Sequence, residues 1–138
     1  MAGVNNCTIS GNYSARGGGV AIITTSKYYL KNSILSGNIA STNGNNLFLE
    51  STGCTMNLDY CQYTTGATDN YVFSGATFTV TNSTTSDPHF VNPIVPTIGN
   101  TPNTLGDYRI KGTSPLINAG LNTNITLPID VRGQQRKI

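Results

Sequence analysis

Charge is scarce in this 138-residue chain: Asp, Glu, Lys and Arg together make 10% of it, glutamate occurs once, at Glu50, and tryptophan is absent. A net charge of +2 creates no field that would draw the chain to nucleic acid or to an acidic membrane. No apolar run is long enough to span a bilayer, and no basic-then-apolar leader opens the sequence. Proline is missing until Pro88, which leaves the first two thirds free of the residue that a central sheet excludes. The three cysteines, Cys7, Cys54 and Cys61, have neither CxxC nor Cys/His spacing, which argues against zinc; buried, reduced thiols are the expected state, and a disulfide between two of them stays open. With so few helix formers, polarity comes from Asn, Thr, Ser and Gly, and Thr alternating with apolar residues suits a pleated, half-buried surface.

What is present is a repeat. "VNNCTISGN" (Val4 to Asn12) returns as "YLKNSILSGN" (Tyr29 to Asn38), placing Asn6 on Asn32, Cys7 on Ser33, Ile9 on Leu35 and Asn12 on Asn38. A weaker copy sets Leu58 to Tyr63 on Leu30 to Leu35, and Asn82-Ser83 echoes Asn32-Ser33 after a shorter interval. Periods of this length indicate a solenoid. Each period holds short strands broken by Gly and Asn, without leucine-rich or helical signatures, and this predicts an all-β, right-handed parallel β-helix. In such a coil each position meets its own equivalent above and below. Ile9, Leu35 and Tyr63 are then inward, and Cys7, Ser33 and Cys61 form a small-residue stack. Asn12 and Asn38 form a structural ladder at left-handed bends, each amide bonding to its neighbour's. Residues 1–86 are read as three to four coils, truncated at the N-terminal end. Residues 87–138, which hold every proline, are read as a C-terminal capping and anchor-proximal region of the same domain, with Phe90, Tyr108, Leu116 and Ile117 covering the last coil.

"DPHFVNP" (Asp87 to Pro93), "GDYRI" (Gly106 to Ile110), "TSPLINAG" (Thr113 to Gly120) and "DVRGQQR" (Asp130 to Arg136) follow in that order. With the Asn-Ser repeats and "RGGGV" before them, they resemble bacterial right-handed parallel β-helix repeat proteins with a choice-of-anchor Q type C-terminal region. The resemblance implies a pectate-lyase-like fold and an extracellular or cell-surface location. It also implies a larger parent chain, of which this would be a piece, and it carries no catalytic motif onto these residues.

Enzymes with this fold hold clustered carboxylates, often with calcium, whereas here Glu50, Asp59, Asp69, Asp87, Asp107 and Asp130 are spread one to a region. Asp59 with Asp87 is the pair to inspect for calcium, and no other cofactor is expected. Glu50 with Asp69 is the pair to inspect for glycoside hydrolysis. His89, the only histidine, reads as a turn residue, and "RGGGV" lacks the lysine and helix of a phosphate loop. Asp130 with Arg132 and Arg136 reads as a local pair fixing a final turn. Five of the eight basic residues, Arg109, Lys111, Arg132, Arg136 and Lys137, fall in the last thirty positions. The leading expectation is a non-catalytic scaffold, adhesion or glycan-contacting module whose contacts include Tyr28, Tyr60, Tyr63, Arg109 and Lys111, with polysaccharide as partner. A fragment of a polysaccharide lyase or glycoside hydrolase is the alternative, and a trimeric phage or viral fibre piece a further one.

Overall fold

A computed structural model describes residues 2–99, 105–125, 129 and 133–135. The chain winds into a parallel β-solenoid of about three turns, with no α-helix among the described residues. The first coil holds β1 (Ala2–Asn5), β2 (Thr8–Ile9), β3 (Tyr13–Arg16) and β4 (Val20–Ile22), and the second β5 (Lys27–Lys31), β6 (Ile34–Leu35), β7 (Ile39–Asn43) and β8 (Leu47–Leu49). The third holds β9 (Thr55–Asp59), β10 (Gln62–Tyr63) and β11 (Asn70–Val72), and β12 (Thr77–Thr81) begins a fourth. β1, β5, β9 and β12 form one sheet in that order, β2, β6 and β10 a second, and β4, β8 and β11 a third, all in parallel. β3 pairs with β7 alone.

The registers explain the repeated words. Leu30, Leu58 and Val80 stack through the core, with Val4 in the same register but exposed at the first rung; Ile9, Leu35 and Tyr63 form a second stack, and Leu30, Leu35, Leu47, Leu49, Met56 and Leu58 are buried. Each such side chain contributes about 1.5–3 kcal/mol through removal from water. The small-residue stack also exists and extends by one rung: Ser33 Oγ accepts from Cys7 N at 3.1 Å, and Ser83 Oγ from Cys61 N at 2.9 Å. A serine hydroxyl thus holds the preceding coil's backbone, and in turn donates to Lys31 O or Thr81 O at 2.7 Å. One residue earlier, Asn6, Asn32, Tyr60 and Asn82 all take positive φ, from 47° to 57°. Asn accepts this left-handed bend readily; Tyr60 does so against the Cβ clash that such a backbone imposes.

The second asparagine pair differs from expectation in one respect. The left-handed residues at that corner are Gly11 and Gly37, at φ 75° and 69°, and each following asparagine leaves the bend with its amide turned to the neighbouring coil. Asn38 Oδ1 accepts from Asn12 N at 3.0 Å and from Asn12 Nδ2 at 2.9 Å, while Asn38 Nδ2 donates to Ile9 O and to Asn46 Oδ1, both at 2.9 Å. Asn46 Nδ2 carries the chain of bonds on to Thr64 Oγ1 at 2.7 Å.

After β12 the chain turns along the solenoid. β13 (Phe90–Asn92) pairs antiparallel with β14 (Asp107–Ile110), and a 3-10 turn, η1 (Asn122–Asn124), follows. This strap lies against the flank formed by the second sheet, where the residues expected over the last coil are found. Tyr108 stands edge-on to Phe90, and its hydroxyl reaches Gly11 in the first coil, where a methyl group would overlap it. Leu116 faces Ile34, Tyr60 and Gln62, whereas Ile117 is exposed. Beneath the strap runs the outward row Thr8, Ile34, Gln62 and Thr84, of which Ile34, Gln62 and Thr84 line the cavity beside Leu116. Among the described residues no strand pairs with the outer edge of β12. Asp130, Arg132, Arg136 and Lys137 lie outside the described residues.

Candidate functional site

The described carboxylates are held locally. Asp59 Oδ1 accepts from Thr81 Oγ1 at 3.2 Å and Asn82 Nδ2 at 3.0 Å, at the end of β9. Asp87 Oδ1 accepts from His89 N at 2.7 Å, closing a turn in which His89 takes φ 53°, and His89 Nδ1 lies 3.2 Å from Thr113 O. Asp69 Oδ2 accepts from Gly66 N at 2.7 Å, Glu50 faces Arg16 at 3.3 Å, and Asp107 grips Arg109, with Arg109 Nε at 2.9 Å from Oδ1. Asp69 stands opposite Asn46, four residues before Glu50, and each of the two carboxylates is engaged by its own neighbour, Gly66 N for Asp69 and Arg16 for Glu50. Among the described residues no three His, Cys, Asp or Glu side chains converge. All three cysteines are free, Cys7 exposed and Cys54 and Cys61 buried, and burial pushes the Cys61 thiol up.

The tyrosines and bases singled out from sequence are dispersed. Tyr28 is 40% exposed on β5; Tyr60 is half-buried at its left-handed bend beside the strap; Tyr63 packs into the core, edge-on to Phe78. Arg109 is paired with Asp107, and Lys111 is exposed on the strap with its backbone N–H donated to His89 O at 2.8 Å. A different aromatic cluster forms on the third sheet, where Phe48 and Tyr71 stack at 5.0 Å and the Arg16 guanidinium covers Phe48 at 5.6 Å.

Concavity arises where the strap meets the flank and where a coil is shortened. Between the strap's Asp87–Pro96 segment and the flank of the first three coils runs a groove of about 530 Å³. Ser36, Asn38, Gln62 and Thr64 supply its polar wall, and Pro93, Ile94 and Val95 its apolar one. Among the described residues Asp87 is the only charged side chain lining it. A cavity of about 150 Å³ lies further along the same flank, between Tyr60, Gln62 and Leu116. A notch of about 380 Å³ opens beside β7, because Asn70 follows its register partner Leu47 by 23 residues whereas Tyr63 follows Leu35 by 28. The third coil thereby lacks a counterpart of β7.

Gln62 is the groove residue that sequence reasoning did not single out. It is 2% exposed; Nε2 donates to Tyr63 O at 3.3 Å, while Oε1 has no protein partner. The available signal was its register: Gln62 stands over Ile34, so an amide occupies a row otherwise filled by Thr and Ile. Comparison with protein-family models, curated proteins and solved structures gives no match.

Proposed function

We propose that this chain is a non-catalytic β-solenoid module of an extracellular or cell-surface bacterial protein, a scaffold that contacts glycans. The observation that carries the reading is the chemistry of its concave surfaces. Among the described residues, the groove, the flank cavity and the notch are lined by hydroxyls, carboxamides and apolar side chains, with Asp87 the one carboxylate and no Lys or Arg. Uncharged polar groups beside apolar surface suit saccharides, whose rings offer hydroxyls at the rim and C–H groups on the faces. The order of the four C-terminal motifs supports membership in the β-helix repeat family with the choice-of-anchor Q type region, and with it the surface location and the larger parent chain.

Incubation with plant, algal and host polysaccharides, scored for retention and for new reducing or unsaturated ends, tests the reading. Retention without cleavage is expected. Release of unsaturated or reducing ends would make the protein a lyase or a hydrolase instead.

A further inference from the structure

We infer that the groove between the strap and the coil flank is a binding site for an uncharged saccharide, and that Gln62 is the residue that reads its hydroxyls. The inference rests on the glycan-contacting reading and places it at one site.

Three observations lead there. The volume of about 530 Å³ falls within the range of small-molecule sites and accommodates one or two sugar rings. Its walls are divided, with Pro93, Ile94 and Val95 from the strap on one side and Ser36, Gln62 and Thr64 from the coils on the other, so a ring can lay its C–H face on the first and turn its hydroxyls to the second. Part of the polar wall is already committed: Asn38 is saturated by Asn12, Ile9 O and Asn46, and Thr64 Oγ1 accepts from Asn46. Gln62, which lines both this groove and the flank cavity, differs in being buried with an unmet acceptor: at 2% residue exposure its Oε1 has no partner among the described residues.

A buried amide oxygen left unpaired destabilises the protein that keeps it. It asks for a donor, and the hydroxyl of a sugar supplies one. An anionic sugar is disfavoured, since among the described residues the only ionised side chain in the lining is a carboxylate, Asp87, and none of them offers a cation there. A solely structural role for Gln62 would rest on its single 3.3 Å bond to Tyr63 O, at the long end of the hydrogen-bond range.

The test is titration of the whole chain with neutral tri- to hexasaccharides of glucose, galactose, mannose and xylose, followed by NMR or calorimetry, with oligogalacturonate as the anionic control. Two variants accompany it. Gln62→Met keeps the length of the side chain and removes the acceptor; Thr85→Trp fills the groove from its exposed rim. At least one neutral saccharide binds the wild type, and each variant weakens it by about tenfold or more. Gln62→Met melts at or above the wild-type temperature, because it removes an unpaired polar atom. If neutral saccharides bind and neither variant changes the affinity, the groove is the wrong site and the glycan-contacting reading stands. Binding of oligogalacturonate alone overturns the neutral-ligand inference, and binding of no saccharide at all overturns both. Should Gln62→Met melt lower, its role is structural, and the Thr85→Trp result decides the site.

Discussion

The coils and the strap are built on opposite rules. In the coils each side chain is specified by its own copies: Leu58 touches Leu30 below and Val80 above, and neither a slip nor a substitution can be absorbed by one rung alone. In the strap no position repeats, and attachment depends on a few bonds to the turn ladder. Asn32 Oδ1 accepts from Leu121 N at 2.9 Å and its Nδ2 donates to Leu121 O at 2.9 Å, while Asn6 Nδ2 reaches Asn124 O at 3.2 Å. A buried hydroxyl, Ser114 Oγ, ties the strap to itself through Pro88 O at 2.7 Å. Stability therefore resides in the coils and shape in the strap, because the groove exists only where the strap crosses them.

The sharpest break of this contrast is made in the core. Leu58→Ala removes a fully buried side chain from the middle of a four-rung stack, and a loss of about 2–5 kcal/mol is expected in denaturant unfolding. The matching change in the strap, exposed Ile117→Ala, is expected to cost less than about 0.5 kcal/mol. Asn32→Gly separates the two regions more selectively. Glycine keeps the left-handed bend at φ 47° but removes both bonds to Leu121, so a loss of about 1–2 kcal/mol falls on strap docking. Amide exchange near Leu121 should accelerate while that of Leu30 and Leu58 stays protected; equal acceleration at all three would show that coils and strap unfold as one unit.

The same contrast decides what could be read in the sequence. The Asn-small-apolar phrase announces a stacked solenoid because residues that must match their neighbours are written repeatedly; Ile9 over Leu35, and Cys7 over Ser33, follow from spacing alone. The strap has no such redundancy. Tyr108 reaching Gly11 joins residues about a hundred positions apart, and no period announces it, so residues expected over the end of the last coil turned out to lie along its side. The groove was hidden for the same reason, being half coil and half strap. Gln62 could have been suspected from its misfit over Ile34, but burial of that amide depends on the strap that covers it.

Tyr60 tests the turn ladder itself. It occupies the position held by Asn6, Asn32 and Asn82 in the other coils, and it takes φ 53° with a side chain that a left-handed backbone disfavours. Tyr60→Asn should relieve about 1 kcal/mol of that strain and raise the melting temperature. Because Tyr60 lines the flank cavity beside Leu116, the gain appears only if its ring contributes little to holding the strap. A fall in melting temperature would assign Tyr60 to the strap interface and blur the division between the two regions.

The smallest effect is expected on the third sheet, far from the strap. Arg16 pairs with Glu50 at 3.3 Å and covers the Phe48 ring at 5.6 Å, with both ionic side chains largely in solvent. Removing the charge alone, Glu50→Gln, should cost less than about 0.5 kcal/mol and lose its effect in high salt, since exposed pairs are screened and entropically weak. Arg16→Ala should cost more, and independently of salt, because it also uncovers Phe48, which is 4% exposed only while the guanidinium lies over it beside Tyr71. Arg16→Met separates the two contributions: it restores cover without charge, and recovery of most of the loss would show that this face of the coils, like the core, is held by stacking rather than by its sparse charges.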